Sequence, residues 1–412
     1  MNRRQALAAA LLSIPLLSSA STADWTRFRG PNGDGVVEGK FADKISEGNF
    51  VWTAELPGKS HASPVIWKDR IYTTSADADE GKRYVLCLSA KDGKTIWKKE
   101  YDFSKYKQHA DNSFSSATPA VDGLGVYIAW SRPEKYELFA LDHEGKELWS
   151  QDLGPYKSIQ GSGTSPILLD GTVIIANDQE GPKSSLMAFE HKSGAMQWKI
   201  DRKSGDKTSM STPVVYKPKD GPQQVIFTCK AAGLSSIDPK SGQILWESPK
   251  VFDARTVGSP VVTDDLILGA CGEGAAHRLL VAVRPGNPGE EPALVYKVER
   301  IAPYVPTPLV KGDRVYLWGD AGQVSCLKLA TGEEVWSDKV GGLYYGSPVL
   351  VGDVLWCMSR KGDLIGVRAG EKFEEVAKIN LGEPSHATPA VSDGKMYLRT
   401  LSKLICVDMS RK

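Results

Sequence analysis

His61-Ala-Ser-Pro64-Val-Ile-Trp67 decides how this chain is read. A Ser directly precedes a proline, and an apolar, β-branched run follows it. The arrangement returns as Ser116-Ala-Thr-Pro119, Gly163-Thr-Ser-Pro166, Met210-Ser-Thr-Pro213 and Val257-Gly-Ser-Pro260. It continues as Val305-Pro-Thr-Pro308, Tyr345-Gly-Ser-Pro348 and His386-Ala-Thr-Pro389. Subtraction gives intervals between the prolines of 55, 47, 47, 47, 48, 40 and 41 residues. Periods of this size mark repeat architectures, propeller blades among them. Proline is tolerated at the first residue of a strand, where its missing N–H costs no ladder bond. A Gly/Asp turn and a second apolar strand follow, as in Arg314-Val-Tyr-Leu-Trp318, which is a hairpin signature.

A second motif closes most repeats. A turn ends in Gly and a Trp follows four residues later: Gly93 to Trp97, Gly145 to Trp149, Gly194 to Trp198, Gly242 to Trp246 and Gly332 to Trp336. The glycine is expected to take a positive φ in the turn. The Trp is expected on the outermost strand, packed between neighbouring blades, because its flat ring covers much apolar area at few rotatable bonds. Tyr296 stands in that place in the fifth repeat and Val376-Ala377 in the seventh. The eighth repeat runs out of chain after Leu404-Ile-Cys-Val-Asp408, but Asn49-Phe-Val-Trp52-Thr-Ala-Glu matches Lys94-Thr-Ile-Trp97-Lys-Lys-Glu. The N-terminal strand carrying Trp52 is therefore expected to complete the last blade and remove an open edge. The prediction is an all-β, eight-bladed propeller of four-stranded blades over residues 49–412. No 3.6-residue apolar period supports a helical solenoid, and a sandwich would not repeat one motif eight times.

Residues 1–23 read as an export signal: Arg3 and Arg4, an apolar run from Ala6 to Leu17, then small residues with cleavage sites after Ala20 or Ala23. Arg3-Arg4 with Leu7 resembles a twin-arginine signal, though Ala6 departs from that pattern and a general secretory route fits equally. A periplasmic or secreted location follows. Residues 24–48 form a separate segment before the blades. The balance of 51 Lys+Arg against 50 Asp+Glu argues against a basic nucleic-acid-binding surface. No transmembrane segment is expected after signal removal. Of six cysteines, none are adjacent and none are spaced C-x-x-C, so local spacing suggests neither a metal site nor a redox dithiol. Cys87, Cys326 and Cys406 share one repeat position, assigned in other blades to Phe139, Ala188 and Ser236. They read most simply as buried small residues, the alternative being disulfides.

Ile237-Asp-Pro-Lys-Ser-Gly-Gln-Ile-Leu-Trp246, Leu141-Asp-His-Glu-Gly-Lys-Glu-Leu-Trp149 and Lys328-Leu-Ala-Thr-Gly-Glu-Glu-Val-Trp336 resemble the repeat of pyrroloquinoline-quinone propellers. The resemblance spans about residues 49 to 412. It places the chain near quinoprotein alcohol dehydrogenases and near the propeller of the outer-membrane assembly lipoprotein. Trp25-Thr-Arg-Phe28-Arg29-Gly30-Pro31-Asn-Gly33-Asp-Gly35 is similar to an N-terminal motif of exported propellers of this kind. The repeat specifies fold more than chemistry. The dehydrogenases of the family imply adjacent cysteines, a calcium or lanthanide held by acidic and amide side chains, and an Asp base. This sequence has no Cys-Cys pair and no compact acidic cluster, so quinone with calcium is not the expected cofactor and no metal ligand is assigned.

In a propeller, the approach to each innermost strand faces the central channel or one of its mouths. The residue three before each proline then forms a ring: His61, Ser116, Gly163, Met210, Val257, Val305, Tyr345 and His386. The position before it, largely hydroxylic from Ser60 to Ser385, is expected to satisfy backbone groups between blades. Blade closure makes the blades of His386, His61 and Tyr345 neighbours. Those three, with Tyr344, Arg255, Tyr304 and Lys59, form the candidate ligand site at a channel mouth. The competing reading is solvated loop histidines. The polar loop from Tyr101 to Asn112 is a second candidate for recognition. No Ser-His-Asp set, phosphate loop or carboxylate pair can be argued from spacing, so the catalytic residues stay unassigned. The expected function is an exported binding or scaffold propeller recognising an envelope protein or a polar small molecule. The alternatives are a quinoprotein-type oxidoreductase or a hydrolase-like site in the channel.

Overall fold

The computed structural model describes residues 24–181, 183–203 and 206–410. The proposed signal, residues 1–23, lies outside them. Eight sheets, each of four consecutive antiparallel strands apart from the additions noted below, form a ring. Each innermost strand begins directly after a motif proline, as in Val65–Trp67, Ile167–Leu169 and Val349–Val351. Blade 8 is completed by Phe50–Glu55, which pairs antiparallel with Lys403–Asp408 and sets Trp52 opposite Cys406. Blade 7 gains a fifth strand, Val36–Val37, lying parallel to its innermost strand. Among the described residues no helix is long and apolar enough to cross a membrane.

The Ser or Thr before each proline has a specific task. Its side-chain oxygen accepts the backbone N–H of the equivalent residue in the preceding blade. Ser63 donates to Thr118 at 3.0 Å, Thr118 to Ser165 at 2.9 Å, Ser165 to Thr212 at 3.2 Å and Thr212 to Ser259 at 3.3 Å. Ser259 donates to Thr307 at 3.0 Å, Thr307 to Ser347 at 3.0 Å, Ser347 to Thr388 at 2.9 Å and Thr388 back to Ser63 at 3.0 Å. Eight bonds close a circle around the channel. An N–H buried beside the axis would otherwise lack a partner, and each such bond contributes about 1 kcal/mol net.

The outer motif holds the perimeter. Gly93, Gly145, Gly194 and Gly242 all have φ between 70° and 82°. Each turn lies on the aromatic ring of the blade before it: a Cβ on Gly93 would stand 2.6 Å from Trp52, and one on Gly194 2.6 Å from Trp149. Tyr296 takes the same place under Gly332, at 2.5 Å. The indole N–H groups donate to carbonyls of the next blade, Trp97 to His143 at 2.7 Å, Trp149 to His191 at 2.9 Å, Trp198 to Pro239 at 2.8 Å and Trp336 to Gly370 at 2.8 Å. The six cysteines are buried and free. Cys87, Cys326 and Cys406 face the outer Trp of their own blades. In blade 2 that position is Ala140, opposite Trp149, and not Phe139: this hairpin is one residue shorter, so counting ten back from the Trp overshoots.

Candidate functional site

One end of the channel is closed by the segment that precedes the blades. The carbonyls of Trp25, Thr26 and Gly35 accept the N–H groups of Ile66, Val121 and Leu350, each two residues beyond a motif proline. Arg27 and Arg29 are buried, with 3% and 0% exposure. Arg27 donates to the carbonyls of Pro31 at 3.2 Å and Pro213 at 3.1 Å. Arg29 donates to Pro348 at 2.9 Å, Pro308 at 3.0 Å, Asp34 at 2.7 Å and Gly33 at 3.4 Å. A buried guanidinium is costly unless its donors are met. Here the innermost strands present proline carbonyls toward the axis, and the two arginines collect them. Burial pulls both guanidiniums down to about 10, with Asp34 opposing, so both remain cationic at neutral pH.

Above this plug lies a cavity of about 570 Å³, with Phe28 in its lining. All eight residues of the ring three before the prolines line it, as do seven of the eight circle-forming hydroxyl residues. His61 and His386 lie face to face at a tilt of 32° with ring centroids 4.0 Å apart, and Tyr345 meets His386 edge-on at 5.4 Å. Burial, then the neighbouring His386, Arg360 and Arg399, hold His61 well below its ordinary value. Burial and Arg360 pull His386 down to about 4, against the influence of Asp111. Both imidazoles are therefore neutral at pH 7, and His386 Nδ1 has no hydrogen-bond partner among the described residues.

The long loop between blades 1 and 2 crosses the mouth and places His109, Asp111 and Asn112 in the cavity lining. Asn112 donates to the carbonyls of Gln160 at 2.7 Å and Ser162 at 3.1 Å. Asp111 reaches blade 7, pairing with Arg360 and accepting from the Tyr345 hydroxyl at 3.3 Å. Arg360 also lies over the Tyr345 ring, 4.7 Å from its centroid. The opposite wall holds Arg255 and Tyr304. Arg255 pairs with Glu180 at 3.1 Å and donates to the Tyr304 hydroxyl at 3.4 Å.

Two members of the expected set do not belong to this site. Tyr344 is 1% exposed and packs edge-on against Trp318, ring centroids 5.3 Å apart. Successive side chains of extended chain alternate, so Tyr345 faces the channel while Tyr344 enters the blade interface. Lys59 is exposed and backbone-paired with Ala76, outside the cavity lining. Of the ring before the His ring, Ser60, Ser115, Ser209, Thr256 and Ser385 are buried. Ser209 and Thr256, for example, share a hydrogen bond of 2.8 Å between blades. Sequence reasoning held Asp111 in a separate candidate loop, which the structure brings into the same cavity, and it missed Arg360 and the plugging arginines; the signal was the position of Arg27 and Arg29 outside the repeat, in an otherwise distinct motif.

The calcium–quinone centre that the fold family implies does not fit this donor set. Among the described residues no group of three or more His, Cys, Asp or Glu is arranged to hold a metal ion. The carboxylates of Asp111 and Glu273 at the mouth are engaged by Arg360 and Lys207.

A family model described as "Outer membrane protein assembly factor BamB" matches residues 81–338, and again 250–372. The chain belongs to this family of PQQ-like propellers. An outer membrane protein assembly factor BamB of Moranella endobia is 28% identical over 248 residues, 55% of this chain and 58% of that protein. The matched part thus spans less than two thirds of that relative. The factor of the same name from Burkholderia pseudomallei is 23% identical over 361 residues, 86% of this chain and 77% of its own. The quinohemoprotein alcohol dehydrogenase of Comamonas testosteroni superposes with a TM-score of 0.65 at 14% identity, covering 94% of this chain and 81% of that one. That likeness shows the family's fold alone.

Proposed function

We propose that this chain is an exported, non-catalytic propeller that binds protein in the cell envelope and serves outer membrane protein assembly. The observation that carries this reading is the sequence relation to outer membrane protein assembly factors over most of the chain. The geometry supports it at the perimeter. Val51, Ile96, Leu148, Met196, Ile244 and Leu294 are large apolar side chains left exposed. They sit on the outermost strands of six consecutive blades, 8 through 5. Each outer strand has one unpaired edge, to which an extended client segment can add by strand pairing. A client rich in β-strands suits that edge.

The test is a chromosomal deletion combined with a photo-crosslinking residue at Ile96 or Leu148. Lower levels of folded outer membrane proteins and crosslinks to a β-rich envelope protein are expected. Unchanged levels without crosslinks would overturn the reading. So would alcohol-dependent dye reduction after reconstitution with pyrroloquinoline quinone and calcium, which is the outcome the dehydrogenase alternative requires.

A further inference from the structure

The channel cavity has a polarity of its own, independent of the perimeter. At its mouth the charges are mutually satisfied: Arg255 with Glu180, Lys207 with Glu273, Arg360 with Asp111. Arg278 approaches Asp320 at 4.0 Å. At its deep end the balance is broken. The eight circle-forming hydroxyls each accept a backbone N–H, and none of the hydrogen bonds among the described residues gives their own protons an acceptor. A hydroxyl that accepts retains one proton to donate, and accepting polarises it further. Immediately beneath, Arg27 and Arg29 grip the carbonyls of Pro213, Pro308 and Pro348. Those prolines directly follow Thr212, Thr307 and Ser347 of the circle. Among the described residues the two guanidiniums make no salt bridge, and Asp34 is the carboxylate whose charge acts on both. Hydroxyl donors over buried positive charge favour negative charge.

We infer that this cavity binds a small anion, an oxyanion or a carboxylate, with the circle of hydroxyls donating to it and the paired His61 and His386 covering it. A volume of about 570 Å³ lies within the range of small-molecule sites. The loop carrying Asp111 forms part of the roof, tied down by Arg360. The groups facing the two imidazoles are Arg360, Arg399, Asp111, Tyr345 and each other. An anion beneath them stabilises the imidazolium form, so binding draws in protons and tightens as pH falls.

Isothermal titration of the mature full chain with sulfate and with citrate tests this, glucose serving as the neutral comparison. Saturable binding of at least one anion is expected, several-fold tighter at pH 5.5 than at pH 7.5. Proton uptake should appear when the titration is repeated in buffers of different ionisation enthalpy. The His61→Ala/His386→Ala variant should retain its fold and lose the pH dependence. Absence of saturable anion binding at either pH would overturn the inference. So would glucose binding as tightly as the anions, or pH-independent binding by the unaltered protein. None of these outcomes bears on the crosslinking at the outer strands, so the two proposals fail separately.

Discussion

The two ends of the central channel are built by opposite rules. At the plugged end the residue pattern is nearly uniform: eight Ser or Thr residues, eight prolines, and two arginines placed against the carbonyls they need. At the open end the eight equivalent positions carry His, Ser, Gly, Met, Val, Val, Tyr and His, and Nδ1 of His386 has no hydrogen-bond partner among the described residues. Uniformity serves the ring, because every blade faces the same neighbour problem. Irregularity suits the proposed recognition, because a ligand has no eightfold symmetry. The repeat therefore reports on stability, and departures from it point to the site.

The largest effect that can break this contrast lies at the plug. Arg29→Ala removes four hydrogen bonds and strands the carbonyls of Pro308 and Pro348. A loss of about 3 kcal/mol or more is expected, read as a lower urea midpoint. Removing one link of the circle is milder. Thr118→Val deprives Ser63 N–H of its acceptor, and a loss of about 1–2 kcal/mol is expected by the same measurement. A neutral outcome for either would show that the deep end is not the structural end.

At the mouth the expected effect is smallest at pH 7 and grows with acid. His386 has a folded value of about 4 and His61 lies well below its ordinary one. The unfolded chain, near 6.5, then binds more protons than the folded one between about pH 6.5 and 4. Stability is full above that window and falls as pH drops through it, by at most about 1.4 kcal/mol per pH unit for each imidazole. The stability of His61→Ala/His386→Ala should decline less steeply from pH 7 toward pH 4.5 than that of the unaltered protein. Parallel declines would show that the buried imidazoles are not the source.

Much of the fold was legible because each blade writes its own punctuation. A strand-opening proline, a Gly turn and an outer aromatic recur in sequence, and Trp52 declared its blade by matching Trp97. The circle of hydroxyls was not legible in the same way. Thr118 stands beside Pro119 whatever its oxygen does, and its partner, Ser63, belongs to another blade. Nor was the plug: a short segment with Arg27 and Arg29 reads as exposed, because arginine is rarely buried without partners, and those partners are carbonyls far along the chain. The site was half legible. His61, His386 and Tyr345 follow from counting back from prolines and from ring closure. Asp111 and Arg360 meet only because a long loop crosses the mouth, and Tyr344 fails because one step along extended chain reverses the side chain.

The plug also dictates an order of events. Residues 25–37 touch blades 1, 2, 4, 6 and 7, while Phe50–Glu55 waits for Lys403–Asp408, more than three hundred residues downstream. Loops of that length close slowly. The first described residues of the chain are therefore the last to find their places, and until they do the ring has an open seam at blade 8 and no floor. A cell that makes this protein must keep its leading segment uncommitted while the other seven blades form.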